Sequence, residues 1–355
     1  MPVVAYTDWM EGLQEVTASA PGKIILFGEH AVVGGEPAVA TCVSLRTWCQ
    51  VRRLPAGEAE ELRVELESLG GPAPARLVWP LARVREAGAR HGVVGGVGPL
   101  PELSPELLAT LRTLAGEGGA AVSEEHGKGV AAFLLLFLLG GAGSSAAAAA
   151  RVWSTLPVGA GLGSSAAFSA AVCGALARAA GLRFCGAGAA PCGATPCASC
   201  RAALNERTFL AERVLHGSPS GIDNSVAVHG GALSFVRGRG IVPLAAMPLL
   251  PLLLVDTGVP RSTQALVAGV LRRREAFPEV MGPALSAIGG ISRAAIALLD
   301  GSGEAGREAM LQRLGTLIDM NQGLLECIGV SHASIRQVIN TTAPCEARRC
   351  VAAVC

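Results

Sequence analysis

Three glycines at alternate positions, Gly159, Gly161 and Gly163, stand directly before Ser164, Ser165 and an alanine-rich run that continues to about Ala180. Lacking a Cβ, glycine reaches positive φ and lets neighbouring backbone N–H groups converge. At the N-terminus of a helix such a turn forms an anion nest, reinforced by the helix dipole. The paired serines add hydroxyls at the helix start, one able to cap and the other able to reach a phosphate or a metal. Two common phosphate signatures do not fit. The run lacks the Lys of G-x-x-x-x-G-K-[ST], and its alternating glycines lack the spacing of G-x-G-x-x-G. A glycine turn that serves only helix–sheet packing is the competing reading, and the two serines weigh against it.

These residues need elements to hold them. Residues 16–27 read as a strand interrupted by Pro21-Gly22, followed by the polar turn Gly28-Glu29-His30. Residues 37–51 return to a strand-like pattern, and the Pro-, Gly- and Glu-rich residues 55–75 read as a surface connection. An amphipathic stretch and a loop lead to an apolar helix around Leu134; a short strand at 149–153 then feeds the glycine turn. Helices are expected from about Ser165 to Ala180 and from Leu204 to Leu215, the second ending in the turn HGSPSG. A hairpin-like run from Val226 to Val236, a Pro-marked boundary at 243–251, a buried strand at Leu252–Asp256 and helices to about 340 complete the pattern. Strands and helices alternate without a regular βαβ cycle and without internal repeats, which predicts the α+β class.

A net charge of +1 over 355 residues argues against a generalised nucleic-acid or anionic-membrane surface, so charge selectivity has to be local. Residues 129–150 carry no charge, but only Val130 to Leu139 is strongly apolar and no basic cluster flanks it; a buried helix and a loop are expected rather than a span. The opening MPVVAYTDWMEG shows no secretory leader, so the 11 cysteines read as reduced thiols of a soluble, cytoplasmic protein. Residues 183–200 break the periodicity with four cysteines spaced C-x6-C-x4-C-x2-C. Only Cys197 and Cys200 form a close pair, where a zinc ribbon wants two, so a disordered or poorly packed insert without metal is expected.

Together with two other segments, the glycine loop resembles the GHMP kinase superfamily and, within it, the mevalonate kinase family most closely. The first segment runs from Ala18-Ser19-Ala20-Pro21-Gly22-Lys23 through Gly28-Glu29-His30 to Val33; another is His216-Gly217-Ser218-Pro219-Ser220-Gly221-Ile222-Asp223-Asn224. Asp256–Thr263 and Ile318–Gln322 match as well, so that the resemblance covers about residues 16–182 and 204–338. It implies a two-lobed α+β fold with the active site in the cleft between lobes, an N-terminal catalytic lobe over 1–246 and a C-terminal lobe over 247–355. The resemblance fades after Val338, where the family's third, glycine-rich signature is replaced by NTTAPCEARRCVAAVC. An incomplete C-terminal lobe and weak or absent turnover by this chain are the corresponding expectations.

The resemblance also implies roles for single residues. ATP and mevalonate are the implied substrates, with Mg2+ as the metal, no nucleic acid or membrane partner, and a homodimer if the C-terminal lobe is competent; peroxisomal association is left open. Asp223 matches the catalytic base, and Lys23 the lysine that pairs with it and reaches the phosphates. Ser165 and Glu212 match the Mg2+ ligands. Ser154, Gly159, Ala160, Gly161, Leu162, Gly163, Ser164 and Ser165 match nucleotide contacts. Glu29, His30, Arg261 and Thr263 match the mevalonate pocket, with Arg261 suited to bidentate pairing with a carboxylate. Each such side chain taken singly also reads as a solvated ion or a satisfied structural group. Another superfamily kinase, and a catalytically dead relative kept as a binding protein, are the alternatives.

Overall fold

A computed structural model of the chain describes residues 15–54, 60–67, 74–93, 95–119, 124–140, 147–157, 159–185, 192, 195–245, 247–259, 263–300, 306–342 and 351–354. Its contacts divide the chain into two interleaved units. One is residues 1–22, 43–158 and 163–230; the other is residues 23–42, 159–162 and 231–355. β1 (Glu15–Phe27) and β2 (Ala38–Arg53) each run through both units.

In the first unit, β3 (Glu61–Leu66) pairs antiparallel with β4 (Ala75–Pro80) and parallel with β5 (Ala148–Ser154). β5 in turn lies antiparallel to the C-terminal half of β2, with Thr47 opposite Ser154 and Arg53 opposite Ala148. Among the described residues six helices accompany this sheet: α1 (Leu81–Arg90), α2 (Pro105–Gly116), α3 (Glu124–Leu139), α4 (Ser164–Ala179), α5 (Ala198–His216) and α6 (Ile222–His229). α2 starts as its sequence directs, with the Ser104 hydroxyl accepting from the Leu107 N–H at 3.1 Å and Pro105 at the first helical position. Every residue of α3 from Val130 to Leu139 is buried, and α2, α4 and α5 pack on it. An apolar run on all faces is what a central helix requires, so the uncharged segment is a core helix, as expected. The alanines of α4 let its neighbours approach closely: Ala166 to Ala177 are buried except for Phe168.

In the second unit, the N-terminal end of β2 pairs antiparallel with β6 (Ala232–Val236), and β6 with β7 (Gly240–Pro243). β8 (Leu253–Asp256) pairs parallel with β9 (Val351–Val354). The helices are α7 (Thr263–Ala276), α8 (Pro278–Leu299), α9 (Arg307–Cys327) and α10 (Ala333–Thr342). α8 is long and apolar enough to cross a bilayer by length and composition. Its Met281, Leu285 and Ile288 nevertheless cluster with Ala31, Val270 and Ile328, as a core helix does.

Four local readings need correction. Residues 61–66 form β3 inside the stretch read as a surface connection, because Leu62, Val64 and Leu66 alternate into the core. Val226 and Val228 belong to helix α6 rather than to a hairpin; both are buried, and tertiary burial outweighs the β preference of valine. β8 is partly exposed rather than buried. The cysteine-rich insert is not loosely packed at its described positions: Cys185, Cys192, Cys197 and Cys200 converge.

Candidate functional site

The glycine loop has the backbone geometry its composition predicts. Gly159, Gly161 and Gly163 lie at φ of 80°, 72° and 67°, alternating with buried Ala160 and Leu162. The two buried side chains anchor the turn while the glycines supply left-handed backbone at no steric cost. The Lys23 N–H donates to the Leu162 carbonyl at 2.8 Å, tying the loop to β1. Gly163 caps α4 in the left-handed conformation without a side-chain cap, so the first-turn N–H groups of α4 are available to an anion. On the N-terminal side Ser154 closes β5: its Oγ lies 2.7 Å from Thr47 Oγ1 and accepts from the Leu156 N–H at 3.1 Å.

At the start of α4, the Ser165 hydroxyl donates to Glu212 Oε2 at 3.2 Å, and Ser169 Oγ lies 3.5 Å from Glu212 Oε1. Glu212, on the inner face of α5, is only 2% exposed. His216, one turn further, places Nε2 3.0 Å from Ser165 Oγ. Because the single Ser165 proton goes to the carboxylate, His216 Nε2 is the protonated ring nitrogen and donates to Ser165. Burial holds the His216 pKa below its ordinary value, against the opposing field of Asp223. Imidazole therefore stays neutral at pH 7.

Two hard oxygens, Ser165 Oγ and Glu212 Oε2, are a donor set for Mg2+. Adjacent ligands on an octahedral ion with bonds of about 2.0–2.1 Å stand about 2.9 Å apart. The observed 3.2 Å is within a small side-chain adjustment of that spacing. The residues fit the ion.

Asp223 sits half-buried in the first turn of α6, which Gly221 opens at φ 86°. α6 is fastened to α5 by a part-buried amide pair, with Asn224 Nδ2 donating to Asn205 Oδ1 at 2.7 Å and Asn205 Nδ2 donating to Ser225 Oγ at 3.3 Å. One helix, α5, therefore carries Glu212 and His216 and also positions the turn that holds Asp223.

In the second unit, Gly28, Glu29 and His30 form a strained turn between β1 and a 3-10 turn at Ala31–Gly34. Gly28 has φ 87°, and His30, at φ 64°, is the one non-glycine residue with positive φ among those described. Glu29 Oε1 accepts from Asn321 Nδ2 at 3.3 Å, with Asn321 buried on α9. Backbone strain of this kind collects where a structure must present particular side chains.

Comparison with known proteins decides what the arrangement belongs to. The chain is 37% identical over 330 residues to mevalonate kinase of Homo sapiens, covering 91% of this chain and 79% of that protein. It is 35% identical over 351 residues to mevalonate kinase of Arabidopsis thaliana, covering 92% and 85%. The chain belongs to the mevalonate kinase family. No protein-family model matches it. Its fold is that of solved mevalonate kinases: TM-score 0.59 at 21% identity to the L. major enzyme in complex with R-mevalonate, over 97% of this chain and 83% of that one. The Methanococcus jannaschii mevalonate kinase gives 0.60 at 14%, over 94% and 86%. The α+β class expected from the sequence is thus found.

Among the residues matched to mevalonate kinase motifs, Ser165 and Glu212 are in direct contact, and the glycine loop leads into the helix that carries Ser165. Thr263 opens α7, and Arg261 lies outside the described residues. Sequence reasoning assigned no role to His216, Ser169, Asn205 or Asn321. A signal was present for two of them. His216 follows Glu212 at helical spacing, and Asn321 stands in the matched run Ile318–Gln322.

Proposed function

We propose that this chain transfers the γ-phosphoryl group of ATP to the 5-hydroxyl of mevalonate. The observation that carries this reading is the buried Glu212 held against Ser165 at the start of α4, directly after three left-handed glycines. That combination supports a phosphate nest next to a hard-oxygen metal site. Membership of the mevalonate kinase family supplies the acceptor.

In the reaction the mevalonate oxygen bonds to the γ-phosphorus, the bond from that phosphorus to the β–γ bridging oxygen breaks, and ADP leaves. Asp223 orients the hydroxyl and takes its proton. The N–H groups of the Gly159–Ser165 turn hold the phosphates, and Lys23 offsets charge on the transferring group. Ser165 and Glu212 would hold Mg2+, which when bound neutralises phosphate charge. Neutral His216 donates to one lone pair of Ser165 Oγ and leaves the other for the ion. By their match to the family's motifs, Glu29, His30, Thr263 and Arg261 are assigned to the acceptor, with Arg261 suited to pairing the mevalonate carboxylate.

The test is a coupled ADP-release assay on the full chain with mevalonate, phosphomevalonate, galactose and homoserine in parallel. Mevalonate-dependent ADP release that exceeds the others by orders of magnitude is expected. Equal rates with all four, or none with mevalonate, would refute the reading. The same assay measures whether turnover requires a glycine-rich third turn, which residues 339–355 do not contain.

A further inference from the structure

The connection between α4 and α5 carries a second arrangement that phosphoryl transfer does not use. Cys185 Sγ lies 3.2 Å from Cys192 Sγ, 3.5 Å from Cys197 Sγ and 3.4 Å from Cys200 Sγ, while Cys192 and Cys200 are 3.6 Å apart. All four sulfurs fall within 4.8 Å of one another. A disulfide needs about 2.05 Å, so these are not bonded pairs. Four thiolates bound tetrahedrally to zinc at about 2.3 Å stand about 3.8 Å apart. Four of the six edges, at 3.2–3.6 Å, are slightly shorter than that, and the other two are within 4.8 Å, a spacing four thiolates around one ion can reach by small side-chain shifts.

We propose that Cys185, Cys192, Cys197 and Cys200 form a structural tetrathiolate zinc site that clamps the start of α5. Every sulfur is already placed, and backbone N–H groups are aimed at two of them. The Cys197 N–H donates to Cys192 Sγ at 3.3 Å, and the Cys200 N–H faces Cys197 Sγ. Hydrogen bonds of this kind stabilise thiolate, and the positive end of the α5 dipole adds to them. On binding, each thiol releases its proton to solvent and the site carries two net negative charges. Arg178 and Arg183 line the adjoining hollow with Phe184 and Cys200, which supplies compensating positive charge.

The surroundings are built to hold the cluster still. Phe184, next to Cys185, stacks on the Arg207 guanidinium at 4.3 Å. Arg207 is buried and donates to the Gly96 carbonyl at 2.8 Å and the Ala203 carbonyl at 3.1 Å. Arg201 donates to the Pro196 carbonyl at 3.0 Å and closes the turn before α5. Thiolate selects zinc, copper(I) or iron clusters over hard cations, and four isolated thiolates in a tetrahedron suit zinc. Cys200 and Glu212 lie on one helix about 18 Å apart, so the zinc is distinct from the phosphate site.

The test is metal analysis of the full chain purified without chelator or histidine tag, with alkylation of native protein read by peptide mass spectrometry. Stoichiometric zinc is expected, with about a tenfold or greater loss in Cys192→Ser and in Cys200→Ser. Cys327→Ser, at an exposed cysteine outside the cluster, should keep the metal. Because a cluster variant may misfold, the wild-type alkylation pattern decides independently: the four cluster cysteines should resist iodoacetamide until a chelator is added, while Cys327 reacts at once. Absence of zinc, iron in its place, a disulfide among the four, or chelator-independent alkylation at the rate of Cys327 would each overturn the proposal.

Discussion

Gly28→Ala and Gly35→Ala form a pair in which the same substitution should have very different costs. Both glycines are left-handed, at φ 87° and 84°. A β-carbon at Gly35 meets nothing within 4 Å, so the cost is the left-handed backbone alone, about 1–2 kcal/mol, less about 0.4–1 kcal/mol regained from a stiffer unfolded chain. A β-carbon at Gly28 would stand 2.3 Å from the Pro37 carbonyl oxygen and 2.5 Å from Ala38 Cα. Those are backbone atoms at the start of β2, pinned through Ala38 opposite Phe235 on β6, so they cannot yield as a side chain would. Overpacking of this kind adds about 1–3 kcal/mol, for a net loss of about 2–4 kcal/mol against about 1 kcal/mol at Gly35. At about 2–4 °C per kcal/mol, thermal unfolding should fall by about 10 °C for Gly28→Ala and by about 2 °C for Gly35→Ala. Scanning fluorimetry on both variants beside the wild type makes the comparison. Equal shifts, or a larger one at Gly35, would refute the claim that Gly28 is required by close backbone approach rather than by its dihedral alone.

Other consequences are as direct. Glu212→Gln keeps the shape of the side chain but removes the charge offered to Mg2+, so kcat should fall about a hundredfold or more and the Mg2+ concentration for half-maximal rate should rise; an unchanged metal dependence would count against the assignment. Asp223→Asn should lose about 10²–10⁴ in turnover while isothermal titration finds ATP affinity preserved, since the glycine nest is a separate part of the site. Protonating His216 should destabilise the fold. Burial lowers its folded pKa below the unfolded value of 6.5, so the unfolded chain binds protons first and stability declines as pH falls below about 6.5. His229, also lowered by burial, acts in the same direction. His216→Gln should therefore flatten part of the decline in melting temperature between about pH 7.5 and 5.5, and an identical slope in the variant would exclude His216 as a source.

The sequence was legible where local chemistry and the fold agree. The glycine–serine turn, the all-apolar run of α3 and the Gly28-Glu29-His30 turn each state their backbone requirement in their own residues. It was least legible where distant segments meet. Nothing in the spacing of Ser165, Ser169, Glu212 and His216 says that four side chains share one network, because α4 and α5 come from opposite sides of the insert. Valines at 226 and 228 pointed to a strand until the buried face of α6 claimed them.

The insert failed to declare itself for a related reason. Metal templates expect close cysteine pairs, each supplied by one tight turn, and C-x6-C-x4-C-x2-C offers only the Cys197–Cys200 pair. Here Cys185 and Cys192, which are not a close pair in sequence, meet each other and Cys200 at the start of α5. That places an anchor at one end of α5 and Glu212 and His216 at the other, with Asn205 between them holding the turn of Asp223. A helix transmits displacement along its axis because its backbone bonds are stiff. The composition of the insert, which reads as an interruption of a kinase sequence, thus bears on how firmly the Glu212 end of α5 is held.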